Sequence, residues 1–406
     1  MIAPAARWYP AAATALGLLL TACAGRPLNR PPEAGAPPFV FRSLDLRQQD
    51  LLGRPTWSLI SPEARYDIRR RVAQAETPRG MIFRNGKPLY RLSATSGTVL
   101  NDGEVVLLEG RVRIEQLGPR PTLIRAERAR WFPERKLMEI DRRPEALDAS
   151  NRLTARRASF NLDDNRLSLR DRPRLQHWNG RFEPFREVDR GRPEVVLHVS
   201  EADWYPLSGD LKTRGPVLAR RRVPGRAESQ PRQILTATSL DGNTIRQEYW
   251  LRAPVRFQDA AEASDLQARD VRVDVRERRA TSDSPFQGQH RELRVSGQSF
   301  LVQEDQKWVT VLAGCQLFQT GDALQARLCR WNWATQAVEA EGGVVLRRTA
   351  NQQVSRGERL RGRLGPEGEI TLTSPGAQVF SRFQVPQRSG RPQPARPRPA
   401  PEPIRL

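Results

Sequence analysis

The sequence is poor in the residues on which most enzymes and metal sites depend. Its 406 residues include only three histidines, His177, His198 and His290, and only three cysteines. None of the histidines lies at metal-ligand spacing from a cysteine or from another histidine. The chain also lacks a Gly-x-Ser-x-Gly elbow, a phosphate-binding glycine loop and a Cys-x-x-Cys pair. We therefore expect no enzyme activity, no metal site and no cofactor.

No apolar run near the N-terminus is long enough to cross a membrane. The run that begins at Ala11 has about ten to fourteen residues, whereas a spanning helix needs about 20. It ends in Leu20-Thr21-Ala22-Cys23, which fits a lipobox, because small residues let the signal peptidase reach the peptide bond before Cys23. The sequence predicts a lipoprotein signal peptide over residues 1–22 and a lipid anchor at Cys23. An ordinary cleaved signal and an uncleaved anchor are the alternatives.

Lysine is also scarce, since Lys87, Lys136, Lys212 and Lys307 are the only four. Arginine supplies nearly all the remaining positive charge, and the formal net charge is +21. This balance favours a polyanionic partner. For an exported lipoprotein we expect anionic phospholipid or phosphorylated glycolipid rather than nucleic acid.

Composition divides the chain into six segments. Residues 1–22 are the signal peptide, residues 23–38 a Pro-rich tether, and residues 387–406 a Pro- and Arg-rich tail that we expect to be disordered. A basic, Pro-containing stretch at 219–233 predicts a linker between two domains, residues 39–218 and 234–386.

Between these ends one pattern returns ten times: an aliphatic residue at position 0, a small one at position 2, and usually apolar residues at positions 5 and 7. Starts are separated by 33, 32, 29, 44, 38, 31, 27, 31 and 36 residues. The first five copies are Leu59, Ser61, Ala64, Tyr66; Leu92, Ala94, Gly97, Val99; Ile124, Ala126, Ala129, Trp131; Leu153, Ala155, Ala158, Phe160; and Leu197, Val199, Ala202, Trp204. The next five are Leu235, Ala237, Leu240, Gly242; Leu266, Ala268, Val271, Val273; Leu293, Val295, Gln298, Phe300; Leu324, Ala326, Cys329, Trp331; and Leu360, Gly362, Gly365.

The parity of the pattern predicts its shape. Positions 0 and 2 share one face of a strand, and so do positions 5 and 7, but the two sets differ in parity, which requires a bend between them. A second strand pattern follows most copies, so each unit is a bent β-hairpin. Hairpins of this size bury their apolar faces by stacking. The sequence predicts an all-β, elongated stack, with a loop at 179–193 accounting for the spacing of 44 residues.

Export makes Cys315 and Cys329 candidates for a disulfide. A three-residue hairpin loop at Gly321-Asp322-Ala323 would place them opposite each other on adjacent strands. Cys329 also occupies a core position of the repeat, where a free cysteine behaves as a small apolar residue. The sequence is compatible with a disulfide and with a free, buried Cys329.

Several features together resemble the periplasmic lipopolysaccharide-transport proteins of the LptC and LptA (OstA-like) family. They are the membrane-targeting N-terminus, the tether, the repeat and the run Gly-x-x-x-Trp-x-Leu-x-Ser-x-x-Ala from Gly53 to Ala64. The blocks from Ala126 to Trp131 and from Leu324 to Gly343 resemble the OstA-like repeat, and the similarity covers about residues 45–383. LptC usually has one jellyroll on an uncleaved transmembrane helix, whereas this chain has a lipobox and about twice the repeat length.

The resemblance implies tandem twisted β-jellyrolls whose apolar groove binds the acyl chains of lipopolysaccharide. It also implies three partners, which are an inner-membrane ABC transporter, an LptA-like bridge protein and the membrane that holds the lipid anchor. The implied location is the periplasm, anchored preferably to the inner membrane. Residues expected to line the groove are Ile124, Ala126, Trp131, Leu153, Phe160, Leu197, Trp204 and Trp331.

Two rival interpretations remain from the sequence. A structural or scaffolding envelope lipoprotein would use the same residue types in a fully packed core. A carbohydrate-active β-solenoid enzyme would need a carboxylate cluster facing one cleft, and the acidic residues of this chain are dispersed.

Overall fold

The computed structural model describes residues 39–384, except 224, 226, 228–232, 350–351 and 366–367. The predicted signal peptide, Cys23, the tether and the tail lie outside the described residues. Within them no helix is long and apolar enough to span a membrane.

The described chain is almost entirely strand and turn, with two 3₁₀ helices at Asn101–Gly103 and Ala260–Glu262. The strands of the first part are β1 (Phe39–Phe41), β2 (Leu44–Gln49), β3 (Pro55–Ser61), β4 (Glu63–Asp67), β5 (Val72–Glu76), β6 (Arg79–Arg84), β7 (Lys87–Ser93), β8 (Ser96–Leu100), β9 (Val105–Gln116), β10 (Thr122–Phe132), β11 (Leu137–Arg142), β12 (Glu145–Leu147), β13 (Asn151–Thr154), β14 (Arg157–Asn161), β15 (Arg166–Arg170), β16 (Arg174–His177), β17 (Val195–His198), β18 (Glu201–Tyr205), β19 (Asp210–Arg214) and β20 (Val217–Arg221). Those of the second part are β21 (Gln233–Ala237), β22 (Leu240–Asn243), β23 (Glu248–Leu251), β24 (Val255–Asp259), β25 (Ser264–Ala268), β26 (Val271–Asp274), β27 (Arg279–Ser282), β28 (Phe286–His290), β29 (Leu293–Gly297), β30 (Ser299–Gln303), β31 (Trp308–Ala313), β32 (Cys315–Gln319), β33 (Asp322–Ala326), β34 (Leu328–Asn332), β35 (Ala337–Arg348), β36 (Gln353–Arg363), β37 (Ile370–Thr373) and β38 (Phe380–Arg382).

These strands form two antiparallel ladders that run side by side through the described chain. Sheet 1 has the order β1-β4-β5-β8-β9-β10-β11-β14-β15-β18-β19-β22-β23-β26-β27-β30-β31-β34-β35-β36-β37. Sheet 2 has the order β2-β3-β6-β7-β9-β10-β12-β13-β16-β17-β20-β21-β24-β25-β28-β29-β32-β33-β35-β36-β38. The four long strands β9, β10, β35 and β36 belong to both sheets.

The repeat explains how the chain alternates between the sheets. In the copy that begins at Leu153, position 0 lies in β13 of sheet 2, while Ala158 and Phe160 at positions 5 and 7 lie in β14 of sheet 1. The chain turns a corner between positions 2 and 5, where the parity changes. The same arrangement recurs at Leu197 and Trp204 in β17 and β18. The predicted all-β stack of bent hairpins is confirmed.

Two copies of the repeat were misplaced by the sequence pattern. Leu266 pairs with Gly288 of β28, and Gly288 pairs with Val295 of β29. Val295, and not Leu293, therefore occupies position 0. In the same way, Leu324 pairs with Leu346 of β35, and Leu346 pairs with Ser355 of β36. Ser355 is therefore position 0 of the last copy, and Leu360 is its position 5. The last four copies of the repeat therefore begin at residues 266, 295, 324 and 355, at intervals of 29, 29 and 31 residues. Leu293 was mistaken for the start because residues two apart share a face and apolar alternation cannot separate them.

Position 8 carries a turn signal that the sequence pattern did not include. The Oδ1 atom of Asn161 accepts hydrogen bonds from the backbone N–H groups of the second and third residues after it, at 2.9 and 3.3 Å. Asn243 makes the equivalent bonds at 3.0 and 2.9 Å, and Asn332 makes both at 3.0 Å. These Asx turns fix the four-residue hairpin loops of sheet 1.

The strand ladders pass through the stretch predicted as a linker. Residues 219–221 end β20 and residue 233 begins β21, and these two strands pair from Val217 with Ala237 to Arg221 with Gln233. The connection between them is therefore a hairpin loop of sheet 2. Division of the chain into two jellyrolls at this point stays a prediction.

The predicted loop near 179–193 is present and packs on sheet 2. It connects β16 to β17. The Arg190 guanidinium lies 5.1 Å from the ring centroid of Phe182 and also donates hydrogen bonds to backbone carbonyls of the neighbouring hairpin. This structured loop accounts for the spacing of 44 residues.

Cys315 and Cys329 form a disulfide with Cα atoms 5.9 Å apart, but the predicted hairpin geometry is wrong. Cys315 pairs with Ala326 rather than with Cys329, because the loop between β32 and β33 contains only residues 320–321. Cys329 lies in β34 of sheet 1. The disulfide therefore links the two sheets near the corner, instead of two neighbours in one ladder.

Candidate functional site

The candidate site is the interior between the two sheets. The sheets join at the corners, and their hairpin turns lie along the opposite side, which we call the mouth. Apolar side chains from both sheets form a single buried cluster from Trp57 to Leu364. The side chains at position 7 lie on sheet 1 near its hairpin turns, next to the mouth.

Aromatic residues at position 7 fill the interior in the first part. Trp131, Phe160 and Trp204 are at most 1% exposed. Trp131 packs edge-to-face on Trp57 with ring centroids 5.2 Å apart, and Phe160 packs on Tyr90 at 5.4 Å. The interior there is closed.

One void of about 10 Å³ lies in this part and is lined by Leu153, Leu169, Leu175 and Leu197. A buried water needs about 10–15 Å³ and several polar partners, so this void holds at most one water.

Polar contacts also close the mouth of the first part. The Tyr90 hydroxyl donates a hydrogen bond to Oδ1 of Asn165 in a turn of sheet 1. Burial raises the pKa of the Tyr90 phenol, so the hydroxyl keeps its proton. Arg84 of sheet 2 donates to the carbonyl oxygens of Leu162 and Asp163 at 2.7 and 2.9 Å. These bonds tie the turns of one sheet to the other.

The interior opens in residues 233–311, which we call the open stretch. Its three copies carry Gly242, Val273 and Val302 at position 7, where the three copies just before them carry Trp131, Phe160 and Trp204. The apolar residues that face inward near the mouth are only half-buried here. They are Leu235, Phe257, Leu266 and Val295 on sheet 2 and Tyr249, Val273, Ala280, Val302 and Val309 on sheet 1.

A buried floor lies below these walls, toward the corners. It consists of apolar side chains that are at most 6% exposed, namely Ala237, Leu240, Leu251, Val255, Val271, Phe286, Phe300 and Val311. The inward-facing apolar side chains of the open stretch are therefore partly exposed near the mouth and buried toward the corners.

Tryptophans mark both limits of the open stretch. Trp204 precedes it and donates from Nε1 to Oγ1 of Thr244 at 3.2 Å. Trp331 follows it and packs on the His290 ring with centroids 5.0 Å apart. Burial lowers the pKa of His290, so this imidazole is neutral at physiological pH.

One ion cluster crosses the mouth at the open stretch. We call it the clasp and define it as Glu194 and Arg221 of sheet 2 with Arg278 and Glu304 of sheet 1. Nη1 of Arg221 lies 3.0 Å from both carboxylate oxygens of Glu304, and its Nε lies 3.2 Å from Glu194. Arg278 lies 3.3 Å from Glu304.

The clasp is ionised at neutral pH. Burial by itself raises the pKa of Glu304, but the Arg221 and Arg278 guanidinium groups outweigh burial and hold that pKa below its ordinary value. The attraction is therefore lost only when the pH falls through this lowered pKa.

The structure places all eight sequence-predicted groove residues in the interior. Four lie on sheet 2 and four on sheet 1, and each is buried: Ile124, Ala126, Leu153 and Leu197, and Trp131, Phe160, Trp204 and Trp331. The accessible wall residues of the open stretch were missed. The signal that identifies them is the run of small side chains at position 7 between Trp204 and Trp331.

The described residues show no group of three or more His, Cys, Asp or Glu side chains placed to hold a metal ion. The arrangement of the interior supports binding by apolar contact.

Comparison with known proteins gives one family. Residues 11–177 match the family described as lipopolysaccharide-assembly, LptC-related, which confirms the predicted resemblance for this part of the chain. The match ends at the last residue of β16, before the open stretch. No curated protein matches the chain.

Among solved structures, the chain is similar to LptH from Pseudomonas aeruginosa, the LptA homologous periplasmic component of the conserved lipopolysaccharide transport device. The identity is 13% and the TM-score 0.26, over 35% of this chain and 93% of that chain.

Two valines test the contrast between the closed part and the open stretch. Val106 is fully buried on sheet 1 and Val273 is half-buried on the same sheet. We expect Val106→Ala to lower the free energy of unfolding by about 2 kcal/mol, because it removes buried methyl groups and leaves a cavity. Val273→Ala should cost about 1 kcal/mol or less, since water already reaches this side chain. Urea unfolding of both variants measures the difference, and equal losses would mean that the open stretch is packed like the rest.

Proposed function

Because residues 11–177 match the LptC-related lipopolysaccharide-assembly family, we propose that this chain is a periplasmic component of lipopolysaccharide export whose open stretch holds the acyl chains of the lipid. The observation that supports the proposal is the row of partly exposed, inward-facing apolar side chains between Trp204 and Trp331, which we interpret as the walls of an apolar groove. An acyl chain fits such a groove lengthwise while its polar head stays at the mouth.

The energetics of the groove suit a carrier. Burial of an acyl chain gains about 0.8 kcal/mol for each CH₂ group. A groove that contacts part of each chain therefore holds the lipid in an aqueous compartment without a covalent bond. Because the contacts are non-directional, the lipid can slide along the groove.

The partners follow from the family. We propose an inner-membrane ABC transporter as the source of lipid and an LptA-like bridge protein as its recipient, with Cys23 anchoring the chain to the inner membrane. Among the described residues, β1 and β2 are the edge strands at one end of the two sheets and β37 and β38 at the other, and edge strands suit strand addition by such partners.

A scaffolding function is the second candidate, and the closed first part favours it. Its interior is filled by Trp131, Phe160 and Trp204, as in an ordinary protein core. In this alternative the first part supports the envelope or docks partners, and lipid contacts are absent throughout the chain.

Photo-crosslinking in living cells distinguishes the two functions. With a photoreactive residue at Val273 or Val302, we expect adducts that contain lipopolysaccharide, because both side chains line the open stretch. The same residue at Phe160 should give none, since that part is closed. Absence of adducts at all three positions, in protein that is correctly exported, would favour the scaffold.

The clasp predicts a kinetic effect on lipid exchange. Glu304→Gln removes the charge that joins the two sides of the mouth, so we expect a several-fold faster release of a fluorescent lipid with a smaller effect on its affinity. Asp265→Asn is the matched control, because Asp265 pairs with Arg256 on strands β24 and β25 of sheet 2 and not across the mouth. Equal release rates in the two variants would show that the clasp does not limit exchange.

A further inference from the structure

The hairpin turn between β2 and β3 carries two leucines into solvent. Leu51 is 107% exposed and Leu52 is 76% exposed, which makes them the two most exposed large apolar side chains of the described residues. They are adjacent at the tip of a hairpin and lie outside the apolar interior. Burial of apolar surface is favourable, so a paired exposure of this kind marks a contact site.

The turn is held rigidly in this form. Oδ1 of Asp50 accepts hydrogen bonds from the backbone N–H groups of Leu52 and Arg54, both at 2.9 Å. The Arg54 side chain donates from Nε to Oδ2 of Asp50 at 2.8 Å. Gly53 has φ +76°, a conformation that favours glycine, and its N–H bonds to the Asp50 carbonyl at 2.9 Å. The leucines are therefore presented by a preorganised loop, which lowers the entropic cost of binding.

The size and composition of the tip indicate what it contacts. Two side chains at the end of a hairpin form a small convex surface, far below the roughly 800 Å² per partner of a stable protein interface. Arg47 and Arg54 lie beside the tip and pair with Asp45 and Asp50, so these four side chains add no net charge. A small exposed apolar tip fits the headgroup region of a bilayer, and the chain's formal net charge of +21 favours an anionic one.

The length of the N-terminal segment allows this contact. Residues 24–38 separate Cys23 from β1, and 15 extended residues reach at most about 50 Å at ~3.3–3.6 Å each. β1 and β2 lie at the same end of the two sheets as the tip. An anchor at Cys23 therefore keeps the tip within reach of the membrane surface.

We infer that Leu51 and Leu52 insert into the headgroup region of the anionic phospholipid bilayer that holds the chain. This inference rests on the proposed envelope location and on the proposed anchor. The contact would orient the end of the sheets that faces the membrane. It is independent of lipid in the open stretch, which lies in other strands.

Depth-dependent fluorescence quenching tests the contact on the full chain. The chain is purified from the cells that export it and reconstituted into vesicles of phosphatidylcholine and phosphatidylglycerol. Leu51→Cys is labelled with the fluorophore NBD, and doxyl-labelled lipids act as quenchers. Leu207→Cys is the control, because Leu207 is an exposed leucine in a hairpin turn far along the sheets.

We expect blue-shifted emission and strong quenching at position 51, and neither at position 207. Leu52→Ser should reduce the quenching at position 51 by at least several-fold, with little change in stability because Leu52 is exposed. Equal and weak quenching at both positions would overturn the inference. A blue shift without quenching, dependent on protein concentration, would also overturn it, because it would indicate contact with a second copy.

The same preparation separates failure of this inference from failure of the proposed function. Cys23 of the parent chain reacts with the label only when it carries no lipid, so labelling of the parent reports on the anchor. Crosslinking from Val273 reports on the groove. Weak quenching at position 51 together with an acylated Cys23 and a lipopolysaccharide adduct would reject the membrane contact alone.

Discussion

The distance between the two sheets is the constraint on which the rest of the structure depends. Two sheets pack face to face at about 10 Å when side chains fill the space between them. From the third to the eighth copy of the repeat, the size of the side chain at position 7 changes with the exposure of the interior. Trp131, Phe160 and Trp204 fill it in the first part, whereas Gly242, Val273 and Val302 leave it open in the next three copies. One backbone ladder thus supports a packed core and a groove, and the difference lies in a few side chains.

Electrostatics act at the edges of this interior and on its outer faces. The clasp bridges the mouth with Glu304 and Arg221, whose side chains are 23% and 27% exposed, so their attraction is only partly screened. Pairs on the outward faces, such as Arg128 with Asp141 or Arg130 with Glu139, are more exposed and contribute little to stability. The remaining arginines leave a formal net charge of +21, which favours anionic partners.

The fold was predictable because parity is a local property of the sequence. The change in parity between positions 2 and 5 predicts the corner, and Leu153 and Phe160 lie on different sheets as expected. A shift of two residues keeps the face unchanged, so Leu293 was mistaken for Val295. The disulfide geometry depended on a loop length that alternation does not specify, and Cys329 lies on the other sheet. The site was harder, because a groove and a core use the same residue types, and Val99 is buried at position 7 while Val273 and Val302 at the same position are partly exposed.

We conclude that the interior is open between Trp204 and Trp331 and closed before Trp204. Three valines at position 7 allow one labelling reaction to compare the two parts. They are Val99 in the closed part, and Val273 and Val302 in the open stretch. Each is replaced by cysteine, and its reaction with a water-soluble maleimide is followed with and without lipopolysaccharide. We expect the reaction at positions 273 and 302 to be faster by a factor on the order of ten or more, because position 99 reacts only after local opening. Lipopolysaccharide should protect positions 273 and 302, whereas equal rates at all three positions without protection would contradict the account.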